Sequence, residues 1–217
     1  DEHASDLNYL ALNTGIVRQD AKSIWELQAL AGQVNLGYDR YLGLLGANLN
    51  HTRLLTRPLQ LSLGLSFQDK NYLRSEDNSR DAQTWSLLVN PVWNKGPHRL
   101  SLSGGYEIED ADADRYDYGR WSAGLRYDRQ LPLDFALYAG VHYRDTDYDE
   151  AEPLFLKKRS EQQTVLEAGI SKVFWRSANR KQVLAGQLSY SHTDNNANIE
   201  LYSYEKDQVL TTLTYAF

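Results

Sequence analysis

Four groups of residues have types and spacings suited to chemistry. The first is Glu107, Arg120, Arg126, His142, Arg144, Glu167 and Gln187, each on the polar phase of a segment that alternates apolar and polar residues. Both charge signs on one face allow two outcomes. The groups can pair and fill an interior, or they can line a path and set its selectivity. The second group is the acidic run Glu107, Glu109, Asp110, Asp112 and Asp114, whose alternating oxygen donors suit Ca²⁺. It lacks the glycine and terminal Glu of an EF-hand loop, so a solvated acidic loop is the plainer expectation and no metal is assigned. The third is Ser189-Tyr190-Ser191-His192-Thr193-Asp194, where a Ser–His–Asp set invites a hydrolase reading. Adjacent strand residues point to opposite faces, so Ser191 and His192 do not meet, and no catalytic residue is assigned. The fourth is Asp145–Glu161, with an apolar tip of Leu154, Phe155 and Leu156 followed by Lys157, Lys158 and Arg159. Such a tip suits a partner, lipopolysaccharide phosphates or the protein's own interior.

The elements that must position these groups announce themselves by period two. In Leu59–Gln68 one face is Leu, Leu, Leu, Leu and Phe, and the other is Gln, Ser, Gly, Ser and Gln. The same alternation runs through 99–108, 120–128 and 135–144. A helix would scatter these apolar positions around its axis. Strands are expected near 7–18, 24–36, 40–54, 58–73, 82–93, 98–109, 116–129, 133–147, 161–174, 182–193 and 205–217. The stretch 24–34 also tolerates a helical reading.

Composition narrows the class. The 217 residues carry 23 Lys+Arg and 29 Asp+Glu, a formal net charge of −6, which argues against general nucleic-acid binding. With no cysteine there is no disulfide framework, thiol nucleophile or thiolate metal site. Mean hydropathy is −0.59, and no apolar run approaches the roughly 18 residues of a spanning helix. Barrel strands escape that test because their polar and apolar phases average out. The first residues, Asp1–Asp6, have no initiator Met and no signal-peptide pattern, so the chain reads as a processed or excised segment of one domain, 1–217.

Punctuation favours a transmembrane barrel over a soluble sandwich. Short turns fall near 19–23, 56–58, 94–97, 130–132 and 176–181, and Pro58, Pro97 and Pro132 sit in them. Long polar segments near 70–81, 109–117, 145–161 and 192–205 alternate with those turns. Short periplasmic turns and long outer loops are the barrel pattern. Aromatic residues cluster at strand ends: Trp85, Trp93, Tyr106, Tyr118, Trp121, Tyr127, Tyr143, Trp175 and Tyr190. Amphipathic rings of that kind form interfacial belts. The last segment places Val209, Thr211, Leu213, Tyr215 and Phe217 on one face, similar to the signal read by the bacterial outer-membrane assembly machinery. Counting gives eleven strands, whereas bacterial single-chain barrels normally have an even number. An all-β, antiparallel up-and-down barrel of about twelve strands is expected, integral to the outer membrane.

From about residue 100 the sequence also resembles the C-terminal barrel of the surface lipoprotein assembly modulator (Slam) family. The likeness is carried by Asp114-Arg115-Tyr116-Asp117-Tyr118, by Tyr148-Asp149 with Pro153-Leu154-Phe155 and Arg159, and by His192–Ile199, Leu201–Tyr204 and Leu213–Phe217. No tetratricopeptide repeat, the family's periplasmic part, is visible in the chain. The resemblance implies a role in moving lipoproteins to the cell surface. The expected function is therefore a conduit for a macromolecule, with no enzymatic step and no cofactor. A passive porin is the first alternative and a lipid-modifying barrel enzyme the second. Expected partners are outer-membrane lipid and lipopolysaccharide, the barrel assembly machinery and a lipoprotein client.

Overall fold

A computed structural model describes residues 7–37, 39–177 and 182–217. The expectations for Asp1–Asp6 and for most of the 176–181 turn lie outside the described residues. Eleven strands run in chain order: β1 Leu7–Gln19, β2 Ser23–Leu36, β3 Asp39–Leu54, β4 Leu59–Tyr72, β5 Ala82–Lys95, β6 His98–Ala111, β7 Tyr118–Gln130, β8 Phe135–Glu152, β9 Lys157–Arg176, β10 Val183–Ala197 and β11 Tyr204–Ala216. Each pairs antiparallel with its sequence neighbours in a single sheet. The sheet is not closed. β1 and β11 stand at its two ends and, the count being odd, run in the same direction. The segment 24–34 is strand, paired along its length with both β1 and β3.

Register turns period two into two continuous faces. Leu27, Leu49, Leu65, Leu87, Tyr106 and Trp121 lie directly opposite one another from β2 to β7. One residue away, Gln28, Asn48, Ser66, Ser86, Glu107, Arg120, Thr146 and Glu161 form a polar row from β2 to β9. A one-residue slip in any strand would swap the rows, so the apolar row holds the register. Yet the apolar row is exposed: Leu65 is 46%, Trp85 50% and Trp121 45% accessible. At roughly 25 cal/mol per Å² of apolar area, leaving such a face in water forfeits most of the stability a sheet can gain. Lipid is the solvent that covers it. The shortest strands, 13 residues, extend about 43 Å at 3.3 Å per residue, ample for a tilted crossing of the apolar layer.

Ring pairs stand on the apolar face, Phe67 and Trp85 tilted with centroids 4.6 Å apart, Trp121 and Tyr143 tilted at 5.0 Å, and Trp25 stacked over His51 at 3.9 Å. Tyr118 corrects the sequence-based belt. Its parity in β7 is that of Arg120, so it is buried on the polar side and donates to Glu107. Pro91 sits inside β5, and the β5–β6 ladder skips Asn90 and Pro91 before resuming at Val92. The missing donor of proline explains the gap.

Three of the long polar segments prove shorter than their composition suggests. β8 and β9 extend through most of 145–161 and leave only 153–156 as a turn, with Leu156 at φ 52°. β10 likewise runs to Ala197 and β6 to Ala111. Polar residues beyond the membrane stay in the ladder because pairing needs only a neighbouring backbone, not an apolar face.

At the opposite end the β1–β2 turn is tied by Asp20, whose carboxylate accepts from the backbone N–H of Lys22 (2.9 Å) and Ser23 (2.8 Å). Those donors hold the Asp20 carboxyl below the ordinary value of 3.8. A depressed folded pKa adds stability that is complete above 3.8 and lost as pH falls through the folded value. Asp20→Ala is therefore expected to lower the unfolding midpoint at pH 7 and to have no effect once both forms are protonated, as denaturant titrations at the two pH values would read.

Candidate functional site

The polar face is the candidate site, and its cross-strand reach shows which way it curves. Alternate strands lie about 9.6 Å apart in a flat sheet. Lys70 on β4 nevertheless pairs with Glu109 on β6, Arg126 on β7 with Glu167 on β9 (3.2 Å), and Gln187 on β10 with the Tyr138 hydroxyl on β8 (3.4 Å). Contacts of this reach recur from β4 to β10 on this face, as expected of the inner side of a curved sheet. All seven polar-phase residues expected from the sequence share this face.

They fall into two charged layers. Near the long-loop end Arg120 donates to Glu107 (3.0 Å) and Thr146 (2.9 Å) and lies 4.5 Å from the centre of the Tyr118 ring. Tyr118 bridges Glu107 (2.8 Å) and Glu109 (3.1 Å), and Glu109 also accepts from Thr84 (2.9 Å). Nearer the short-turn end Arg126 pairs with Asp128 (2.9 Å) and Glu167 and lies 3.9 Å from the Tyr138 ring centre. Sequence reasoning missed Lys70, Asp128 and Tyr138. Each shares the polar parity of its strand, which was the available signal.

Between the layers His142 and Arg144 line a recess of about 280 Å³ with Glu107, Arg120 and Ser122. Arg144 donates to His142 (3.2 Å) and has no carboxylate partner among the described residues. Glycines make this layering possible. A methyl group on Gly124 would lie 2.9 Å from His142 Nδ1, and one on Gly140 2.9 Å from Glu167 Oε1. At Gly169 it would strike the Tyr138 ring at 2.4 Å. Gly169→Ala is expected to unseat Tyr138 from Arg126 and Gln187 and to cost about 1–3 kcal/mol in a denaturant titration, the usual penalty of overpacking.

The other candidate groups are distributed differently. Glu107 and Glu109 of the acidic run face the polar side and are neutralised there, while Asp110 has the opposite parity. No metal-ligating cluster forms among the described residues. His192 faces the membrane side and pairs with Asp207 (2.9 Å), which also accepts from Tyr190 (2.6 Å); no serine joins them. Leu154 and Leu156 at the β8–β9 tip are 81% and 84% exposed and Phe155 40%, so the tip does not fold inward. Of the three cations after it, Lys157 binds the Asn198 carbonyl (2.9 Å). Arg159 is drawn into the rim between Tyr148 (3.6 Å) and Tyr202 (4.3 Å), with Glu161 3.2 Å and Glu152 4.0 Å away. Val209, Leu213 and Tyr215 share the membrane-facing side of β11 and are exposed, and Phe217, one residue past the strand, stacks on Tyr215 with ring centroids 5.9 Å apart.

Solved structures share this architecture. A loop-deletion form of OmpT, an outer-membrane protein of Vibrio cholerae, aligns with TM-score 0.58 at 8% identity over 98% of this chain and 99% of its own. OccK9 of Pseudomonas aeruginosa gives 0.54 at 15% identity, covering 98% of this chain and 55% of its own. OccAB4 of Acinetobacter baumannii gives 0.54 at 15%, covering 96% and 53%. This chain thus spans about half the length of the latter two. At such identities the likeness speaks for the fold. No curated protein matches the chain. A family profile described as surface lipoprotein assembly modifier matches residues 1–217. With a lipid-facing apolar wall, a concave polar wall and outer-membrane barrel neighbours, this is an integral outer-membrane β-barrel protein, and the chain belongs to the surface lipoprotein assembly modifier family.

Proposed function

We propose that the chain forms the wall of a conduit through which a lipoprotein is helped across the outer membrane. The observation that carries this reading is the unbroken polar row from Gln28 to Glu161, in which Glu107 and Arg120 neutralise each other. Small hydroxyl and amide groups give a passing polypeptide weak, exchangeable hydrogen bonds, and paired charges give it no strong anchor. Passage needs that balance between entering and leaving. Family membership supplies the client class. The test is protease shaving of cells that carry a surface lipoprotein together with this protein. Replacing Ser66 and Ser122 by Trp should abolish display while the barrel still assembles. Display that survives a blocked wall overturns the reading.

Arg144 favours a second reading, a passive pore for small solutes, because a polar-face cation with no carboxylate partner among the described residues would select anions. A steady single-channel current in a planar bilayer, changed in selectivity by Arg144→Glu, would support that pore over the conduit. The proposal contains no enzymatic step, and His192→Ala should leave display unchanged.

Two partner assignments belong to the same reading. The exposed Leu154–Leu156 tip with Lys158 would meet lipopolysaccharide, and the row Val209, Leu213, Tyr215 and Phe217 would be read by the barrel assembly machinery. Replacing Tyr215 and Phe217 by Ala should reduce assembled barrel in cells severalfold while the purified variant still refolds in detergent.

A further inference from the structure

We propose that the membrane-facing wall holds one glycerophospholipid in a groove across β7–β11, its phosphate against Arg129. The groove has a volume of about 740 Å³, within the range of small-ligand sites. Its floor is Ala139 and Ala168, directly opposed across β8 and β9. Tyr127 and Tyr190 flank them, and Leu188 and Val209 continue the lining toward β11. Two opposed alanines set among Tyr127, Leu137, Ile170, Leu188 and Tyr190 leave a hollow that an acyl chain fills.

One end of the groove is charged. Arg129 lines it from the apolar parity of β7, so its guanidinium faces lipid, and it has no carboxylate partner among the described residues. Lys172 on β9 shares that membrane-facing side, 4.4 Å from the Phe135 ring, and it too lacks a carboxylate partner among them. Arg129 stands opposite Leu137 and Lys172 opposite Phe135, on adjacent rungs above the turn that joins β7 to β8. A lipid-facing cation is costly at the bilayer midplane and nearly free of cost near the interface, which sets this pair at headgroup level. Short turns mark the periplasmic side, where the leaflet is phospholipid. A phosphate there answers the uncompensated Arg129 through charge-assisted hydrogen bonds, and one chain of the same molecule runs up the hollow. The site depends on the outer-membrane location alone and stands whether or not the barrel is a conduit.

The experiment is native mass spectrometry of the barrel in dodecyl maltoside with added dioleoylphosphatidylglycerol. One lipid should remain bound at an activation energy that strips all others. Ala168→Leu, which fills the hollow, and Arg129→Gln, which removes the cation, should each lower the retained fraction about tenfold. Heat-modifiable gel mobility reports that each variant is folded, and Ala139→Val replaces Ala168→Leu if the latter is not. Dioleoylglycerol, which lacks the phosphate, should be retained no better than phosphatidylglycerol on Arg129→Gln. Equal retention by the wild type and the filled groove overturns the site. Equal retention of the two lipids overturns the phosphate contact and with it the proposal.

Discussion

Leu65→Arg is expected to destabilise the barrel in lipid vesicles by about 2–4 kcal/mol, whereas Ser66→Arg, one residue on, should cost about 1 kcal/mol or less. Leu65 lies at the middle of β4 in the apolar row, between Leu49 and Leu87. A guanidinium there is held in hydrocarbon, with neither water nor a carboxylate to receive it. Ser66 is opposed by Asn48 and Ser86 on the concave polar face, where a long cation reaches water or the Glu107 region. Guanidinium unfolding of vesicle-folded protein measures both. The difference between the variants, more than either value, reports which face meets lipid. A larger loss for Ser66→Arg would invert the assignment and remove the basis of the conduit.

The second large effect is at the long-loop rim. Arg159→Ala should lower stability by about 2–4 kcal/mol, the scale of breaking a mostly buried ion pair together with a desolvated cation–π contact. Arg159 is 14% exposed, and the two carboxylates beside it, Glu152 and Glu161, are 18% and 22% exposed. Removing the cation leaves both acids facing each other in a partly dry site. It also releases Tyr202, whose carbonyl accepts from the buried Asn195 (2.8 Å). The β10–β11 loop, 198–203, should then become sensitive to protease while the membrane-embedded strands stay protected. Arg159→Lys keeps the charge but not the planar stack between Tyr148 and Tyr202, so it should recover about half of the loss. Protease resistance equal to wild type in Arg159→Ala would show that the loop is held by other contacts.

Much of this protein is legible residue by residue. Period two is a local property of the chain. From it follow ten of the eleven strands within a few residues, the phase of Glu107, Arg120, Arg126, His142, Arg144, Glu167 and Gln187, and the opposite orientation of Ser191 and His192, whereas 24–34 also suited a helix until its pairing with β1 and β3 decided it. Loop lengths were less legible. Polarity marks where a strand leaves the membrane, not where it stops pairing, and β8 and β9 continue well past that point. Tyr118 was misplaced because a tyrosine at a strand end suits either an interfacial belt or a buried hydroxyl. Only its parity against Arg120 decides.

What the sequence by itself determined is the two-faced sheet, because alternation needs no knowledge of neighbours. What only the tertiary structure decided is who meets whom. Arg126 reaches Glu167, and Lys70 reaches Glu109, across an intervening strand because the sheet bends toward its polar face. Arg159 leaves the run of three cations at the start of β9 for the cage of Tyr148 and Tyr202. The alanine-floored groove exists because β8 and β9 register Ala139 against Ala168. These pairings depend on register and curvature summed over many strands. No single stretch of chain encodes either one.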